Sequence, residues 1–271
     1  MKITLGTSFD ILDLPIIYGF QHLPALIDRV ELVQKSSPES CQALLDREIE
    51  VAIISPADYA RHSSELSIFP SVICASQSAS KMALLFFKDN LTDLHNIAAN
   101  NADSNYRNLA ELVLKEFYEI DVNWTELGDT TSLESIFRHS NACFLEGQLA
   151  MKFAALTDRY IDIVEEWGDK TEQPFIHKIV VKHRESDLPD MESWLIRSLE
   201  LGWRNVSNIA KKLAEPPIDW SFYFDLLNSN LYFRADEAIW DALRQYFQYL
   251  FFHGHLNEIP EIHLTESTRI D

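Results

Sequence analysis

Short apolar runs alternate with helix-spaced apolar positions through the first half of the chain. Residues 2–5 read as a strand, and residues 15–22 as a helix with Pro15 in its first turn. Residues 29–33 repeat the strand pattern. Ser37-Pro38-Glu39 then offers a cap, a first-turn proline and an acid ahead of Cys41, Leu44 and Leu45 at helical spacing. A third strand pattern at 50–54 runs into Ser55-Pro56-Ala57-Asp58-Tyr59. Strand, helix, strand, helix, strand in that order predicts a parallel sheet wound with right-handed crossovers.

Two β-rich runs follow, at 68–75 and 82–87, separated by the polar loop 76–81. The α/β pattern restarts after Asn90. It gives strand patterns at 97–99, 122–125 and 142–145, a helix capped by Asp103 with Leu109, Leu112, Val113 and Phe117 inward, and a helix at 132–137. Residues 175–181 form another strand pattern. Beyond it the chain reads as helices at 191–213, 219–228 and 236–253, with no later strand, broken by Pro216-Pro217 and ended by Gly254. Two α/β lobes are expected: a discontinuous one from 1–89 and 175–271, and a second from 90–174. This is the architecture of type II periplasmic-binding-protein-like folds: each lobe a mainly parallel sheet flanked by helices, a helical C-terminal extension, and a ligand cleft between.

Ligands in open α/β sheets bind beyond the carboxyl ends of the strands. The expected lining is therefore Ser8 and Leu12 after the first strand, Ser55 after the third, and Ser76, Ser78 and Ser80 in the polar loop. Ser104 and Asn105, with Glu146, Gly147 and Gln148, complete the set. Hydroxyls and helix N-terminal N–H groups suit an anion such as a carboxylate. Asp10 and Asp13 are the acids of the first loop and the candidate general bases. Asp13 also reads as the cap of the first helix.

Charge narrows the partners. With 42 acidic against 23 basic residues the formal charge is −19, which repels nucleic acids and anionic membranes. No apolar run reaches the roughly 18 residues of a transmembrane helix, and the opening residues do not read as a signal peptide. Cys41, Cys74 and Cys143 are scattered among apolar neighbours, as buried thiols of a reducing compartment are, so cytoplasm is the expectation. His253-x-His255 lacks the spacing of a metal site. With seven glycines and no P-loop or dinucleotide fingerprint, phosphate-cradling loops are scarce. The aromatic tail at 223–252 suits a core, and its surplus a homodimer interface.

The order and spacing of several segments resemble the chorismate dehydratases of the futalosine route to menaquinone. They are Asp10-Ile11-Leu12-Asp13-Leu14-Pro15, the run from Glu50 to Tyr59, Ile73-Cys74-Ala75-Ser76 ahead of Leu84-Leu85-Phe86, Asp162 to Trp167 with Thr171 and Pro174-Phe175, and the tail from Tyr232 to Leu256. The resemblance implies the two-lobed fold and removal of water from chorismate without metal or organic cofactor. The polar positions depart from it: Leu12 stands at the family's asparagine, Met82 at a serine, Ser104-Asn105-Tyr106 at an Arg-Thr-Ser triplet, and Gly147-Gln148 at a Gly-Asp. Two classes of function follow, a divergent hydro-lyase and a clamshell that binds a small molecule without catalysis.

Overall fold

The computed structural model describes residues 2–89, 94–100, 104–128 and 132–266, and Asp103 lies outside them. It divides into two units. The first holds residues 1–75, 176–214 and 220–271, the second 76–175 and 215–219.

In chain order the first unit starts with β1 (Ile3–Thr7), α1 (Leu14–His22), α2 (Pro24–Ile27), β2 (Val30–Gln34), α3 (Ser37–Leu45), β3 (Val51–Ile54), α4 (Pro56–Arg61) and β4 (Leu66–Ser76). The second contributes β5 (Ala83–Phe87), β6 (Asn96–Ala99), α5 (Asn105–Tyr118), β7 (Asn123–Glu126), α6 (Leu133–Ile136), β8 (Ala142–Glu146), α7 (Gly147–Ala154), β9 (Tyr160–Asp162) and α8 (Ile163–Thr171). The chain returns through β10 (Phe175–His183), α9 (Met191–Arg204), α10 (Val206–Leu213), α11 (Trp220–Asp225), a π-helical turn at Leu226–Asn230, β11 (Leu231–Tyr232) and α12 (Glu237–Phe252).

The first unit's six-stranded sheet runs β11-β4-β10-β3-β1-β2. β1 pairs in parallel with β2 and β3, as the β-α-β pattern demands, while β10 enters antiparallel to β3. The C-terminal ends of β1 and β3 therefore lie at the same edge as the N-terminal half of β10. The second unit's sheet runs β7-β6-β8-β5-β9, parallel where β6 meets β7 and β8, and antiparallel where β5 meets β8 and β9. Those pairings put β5 in the second unit, so the first crossing falls at residues 75–76 rather than at the expected 89–90. Cross-strand bonding, invisible to a one-dimensional pattern, decides membership.

Close backbone approach holds α1. A methyl group on Gly202 of α9 would lie 2.1 Å from the Pro15 carbonyl, and one on Gly19 of α1 would lie 2.3 Å from the Ser198 Cα. Ser198 Oγ donates to the Ile16 carbonyl at 2.6 Å and accepts from Gly19 N at 2.9 Å. Only glycine permits that crossing, which anchors the loop between β1 and α1. The second unit packs Leu84, Phe86, Cys143, Leu145, Ala150 and Phe153 into one apolar cluster on its sheet.

Other expectations are corrected locally. The 191–213 helix is two helices, turning at Asn205, and the 219–228 helix passes into the π-turn. A strand does follow the helices: β11 joins the sheet edge, with Ile73 N donating to the Phe233 carbonyl at 3.2 Å. Ser36, not Ser37, caps α3, in a reciprocal box with Glu39. No helix is long and apolar enough to cross a membrane among the described residues.

Candidate functional site

β1 delivers its last residues to a sharp turn in which Phe9 takes a left-handed backbone, φ 57°. Asp10 organises that turn. Its Oδ1 accepts from Leu12 N at 2.9 Å and Asp13 N at 3.2 Å, so Asp10 caps the turn that leads into α1. The Asp13 side chain makes no cap bond at all. It turns back towards β1, where Oδ2 accepts from Thr7 Oγ1 at 2.8 Å, Ser8 N at 2.9 Å and Ser8 Oγ at 2.8 Å.

Lys178 of β10 completes the group. Its Nζ lies 2.9 Å from Asp10 Oδ2, 3.7 Å from Asp13 Oδ1 and 3.3 Å from Ser8 Oγ. Ser8 Oγ also lies 2.8 Å from Asp10 Oδ2. A hydroxyl carries one proton, so Ser8 donates to one aspartate at a time and accepts from the other's proton or from Lys178. Asp13 is fully buried, whereas the Asp10 side chain keeps 33% of its surface exposed. The three residues thus link a dry interior carboxyl to one that meets solvent.

The two carboxyls are driven apart. Burial, then the Asp10 charge, pushes Asp13 above the usual carboxylate range. Burial pushes Asp10 the same way, but the Lys178 charge and hydrogen bonds from Lys178 and Ser8 outweigh it and hold Asp10 low. Burial would strip Lys178 of its proton; Asp10 and Asp13 reverse that and raise it. Next to it, burial and then Lys178 pull His177 down to about 3, so this histidine is neutral. Burial, then the two aspartates, raises the Cys74 thiol.

Sequence reasoning found Ser8, Asp10 and Asp13 but missed Thr7 and Lys178. The signal for Lys178 was available: it stands inside the apolar strand Phe-Ile-His-Lys-Ile-Val-Val. A lysine there must bury its charge against a partner. Leu12 is corrected to core, with none of its surface exposed. Ser55 is corrected to a helix cap: Ser55 Oγ accepts from Asp58 N at 3.1 Å and donates to Asp58 Oδ2 at 2.7 Å. Ser37 Oγ donates to the same Asp58 oxygen.

The second unit brings Ser104, Glu146 and Gly147 to one sheet edge, where β8 ends and β5 begins, Ala83 opposite Glu146. Ser104 caps α5 by accepting from Arg107 N at 3.0 Å, and its Oγ donates to Glu146. Asn105 is buried in the first turn of α5. Gly147 has φ 59° and open space where a side chain would stand, and its N–H donates to the Met82 carbonyl at 2.8 Å. Gln148 is exposed. The expected serine cradle is dispersed: Ser76 and Ser80 are fully buried, while Ser78 is exposed. Asp162, which the sequence marks only within a resemblance segment and not as a site residue, ties this edge together. It caps α8 through Val164 N and Glu165 N, and accepts from Lys81 N at 2.6 Å. Burial pushes its pKa up to about 6, against those bonds. No cluster of metal-ligating side chains occurs among the described residues.

Comparison with known proteins adds two findings. A family model described as menaquinone biosynthesis matches residues 3–251. Solved structures match in fold. Protein AF1704 from Archaeoglobus fulgidus superposes with a TM-score of 0.69 at 13% identity, covering 94% of this chain and 98% of its own. The alkanesulfonate-binding protein SsuA from Xanthomonas axonopodis pv. citri, bound to MOPS, gives 0.70 at 11% identity, covering 96% and 95%. The CA3427 gene product of Candida albicans, which has the generic periplasmic binding protein fold, gives 0.64 at 13% identity over 100% of both chains. No curated protein matches the chain in sequence.

Proposed function

The chain belongs to the menaquinone-biosynthesis family, and on that premise we propose that it is a hydro-lyase acting on a small carboxylate, with chorismate the candidate substrate. The supporting observation is Ser8 Oγ placed 2.8 Å from both Asp10 and Asp13, with Lys178 beside all three. The family's asparagine is replaced by a buried leucine, and this cluster, whose residues flank it in the same loop, supplies a different polar device.

Removing water breaks one C–H and one C–O bond. The substrate proton passes to Ser8 Oγ as the Ser8 proton moves to Asp13, whose proton affinity burial has raised. The C–H electron pair becomes the new C=C, and the hydroxyl leaves, recovering a proton through Ser8 to depart as water. Asp10 stays ionised against Lys178 and orients the Ser8 hydroxyl; the ammonium offsets one of the two carboxylate charges. Chemistry of this kind needs no metal or organic cofactor.

The test is incubation of purified protein with chorismate while its absorbance and any enolpyruvyl benzoate are followed. Turnover is expected, falling on the order of 10²-fold in Ser8→Ala. No turnover together with no thermal shift by chorismate refutes the proposal. A thermal shift without turnover identifies the non-catalytic binder instead.

A further inference from the structure

The opposite edge of the second unit's sheet carries a different chemistry. There β5 ends, β8 and β9 begin, and the turn after α6 folds over them. A pocket of about 740 Å3 opens between these segments, walled by Phe87, Leu133 and Phe137. Three cations line it, Lys88, Arg138 and Arg159, against one acid, Glu134. An adjoining pocket of about 470 Å3 shares Lys88, Phe137 and Arg138.

In a chain with 42 acids and 23 basic residues, cations are the scarce charge. Yet Lys88, Arg138 and Arg159 form no ion pair with a described carboxylate, whereas Lys2, Arg47, Arg61, Lys115 and Lys152 each do. Two of the three are fixed by the pocket's own backbone. Arg159 donates to the Lys88 carbonyl at 2.9 Å, and Lys88 Nζ to the Phe137 carbonyl at 3.4 Å. Strand bonds hold both main chains, Lys88 N to the Asn141 carbonyl at 2.9 Å and Phe87 N to the Arg159 carbonyl at 3.4 Å. Carbonyl anchors place the cations without neutralising them, and like charges so held repel until an anion enters. Guanidinium forks suit carboxylate or phosphate oxygens, and the phenyl and leucyl walls suit a flat apolar body.

We propose that this pocket is a binding site, separate from the β1 cluster, for a small polyanion: a flat apolar molecule bearing carboxylate or phosphate groups. Titration calorimetry with isophthalate and with inorganic pyrophosphate tests it and separates the two anion types. Binding of either probe is expected at millimolar concentration, weakening with added salt. Affinity should fall about tenfold or more in Arg138→Ala/Arg159→Ala, since two charge-assisted contacts are lost. Arg138→Lys/Arg159→Lys should retain part of it. Both arginines are exposed, so an unchanged melting temperature should accompany the loss. The proposal is overturned if neither probe binds, or if affinity survives in the alanine double variant.

Discussion

Asp13→Asn separates a proton acceptor from an ion-pair partner, because the two roles predict different magnitudes. Were Asp13 chiefly the counter-charge of Lys178, its removal would leave a buried ammonium short of a partner, at about 3–5 kcal/mol. The geometry argues for less. Lys178 keeps Asp10 at 2.9 Å, against 3.7 Å to Asp13. An amide oxygen at position 13 still accepts from Thr7 and Ser8, so the loss should be that of one imperfect neutral hydrogen bond, roughly 1 kcal/mol. Turnover should nevertheless fall on the order of 10²-fold, since an amide cannot take the Ser8 proton. The pH dependence carries a sign. Asp13's folded pKa is raised, so its contribution to stability is fully present below the ordinary carboxylate pKa and is lost as pH rises through the folded value. Urea unfolding across that interval should therefore show the wild type losing stability relative to the variant as pH increases. A loss of 3–5 kcal/mol at neutral pH, a reversed pH trend, or full turnover in the variant would refute the reasoning.

Two other substitutions test the corrected assignments. Ser55→Ala should cost on the order of 1 kcal/mol in urea unfolding by removing the α4 cap, with chorismate turnover unchanged; lost turnover would return Ser55 to the site. Asp162→Asn cannot ionise, and its single amide oxygen can serve either Lys81 N or the pair Val164 N and Glu165 N but not both, so a pH-independent loss of about 1 kcal/mol accompanies the change. Because Asp162's pKa is raised to about 6, the wild type should lose stability relative to this variant as pH rises from the ordinary carboxylate range through that value. At about 1.4 kcal/mol per unit the difference reaches roughly 3 kcal/mol at most, and equal pH profiles for the two proteins would contradict it.

Periodicity and turn chemistry located most of the long elements, because each pattern is local. Pro15 marked α1, and Ser55-Pro56 marked the start of α4. Short pieces escaped: β9 has three residues and β11 two, too few for any period to register. The acids of the β1 loop were legible as candidates, yet Asp13, expected to cap, makes no cap bond, and Asp10 holds the turn instead. Both stand near the start of α1, and only the fold of the turn decides which carboxyl reaches the free N–H groups.

By itself, then, the sequence determined the α/β alternation, the discontinuous first unit, the acidic character and the presence of Ser8, Asp10 and Asp13 after the first strand. Tertiary structure decided what those residues do. Antiparallel entry of β10 carries Lys178 to the C-terminal edge of β1, across 168 positions of chain from Asp10. Burial there sets one aspartate high and the lysine holds the other low. Charge, hydrogen bonding and desolvation act through space, and no spacing along the chain encodes which groups will share it.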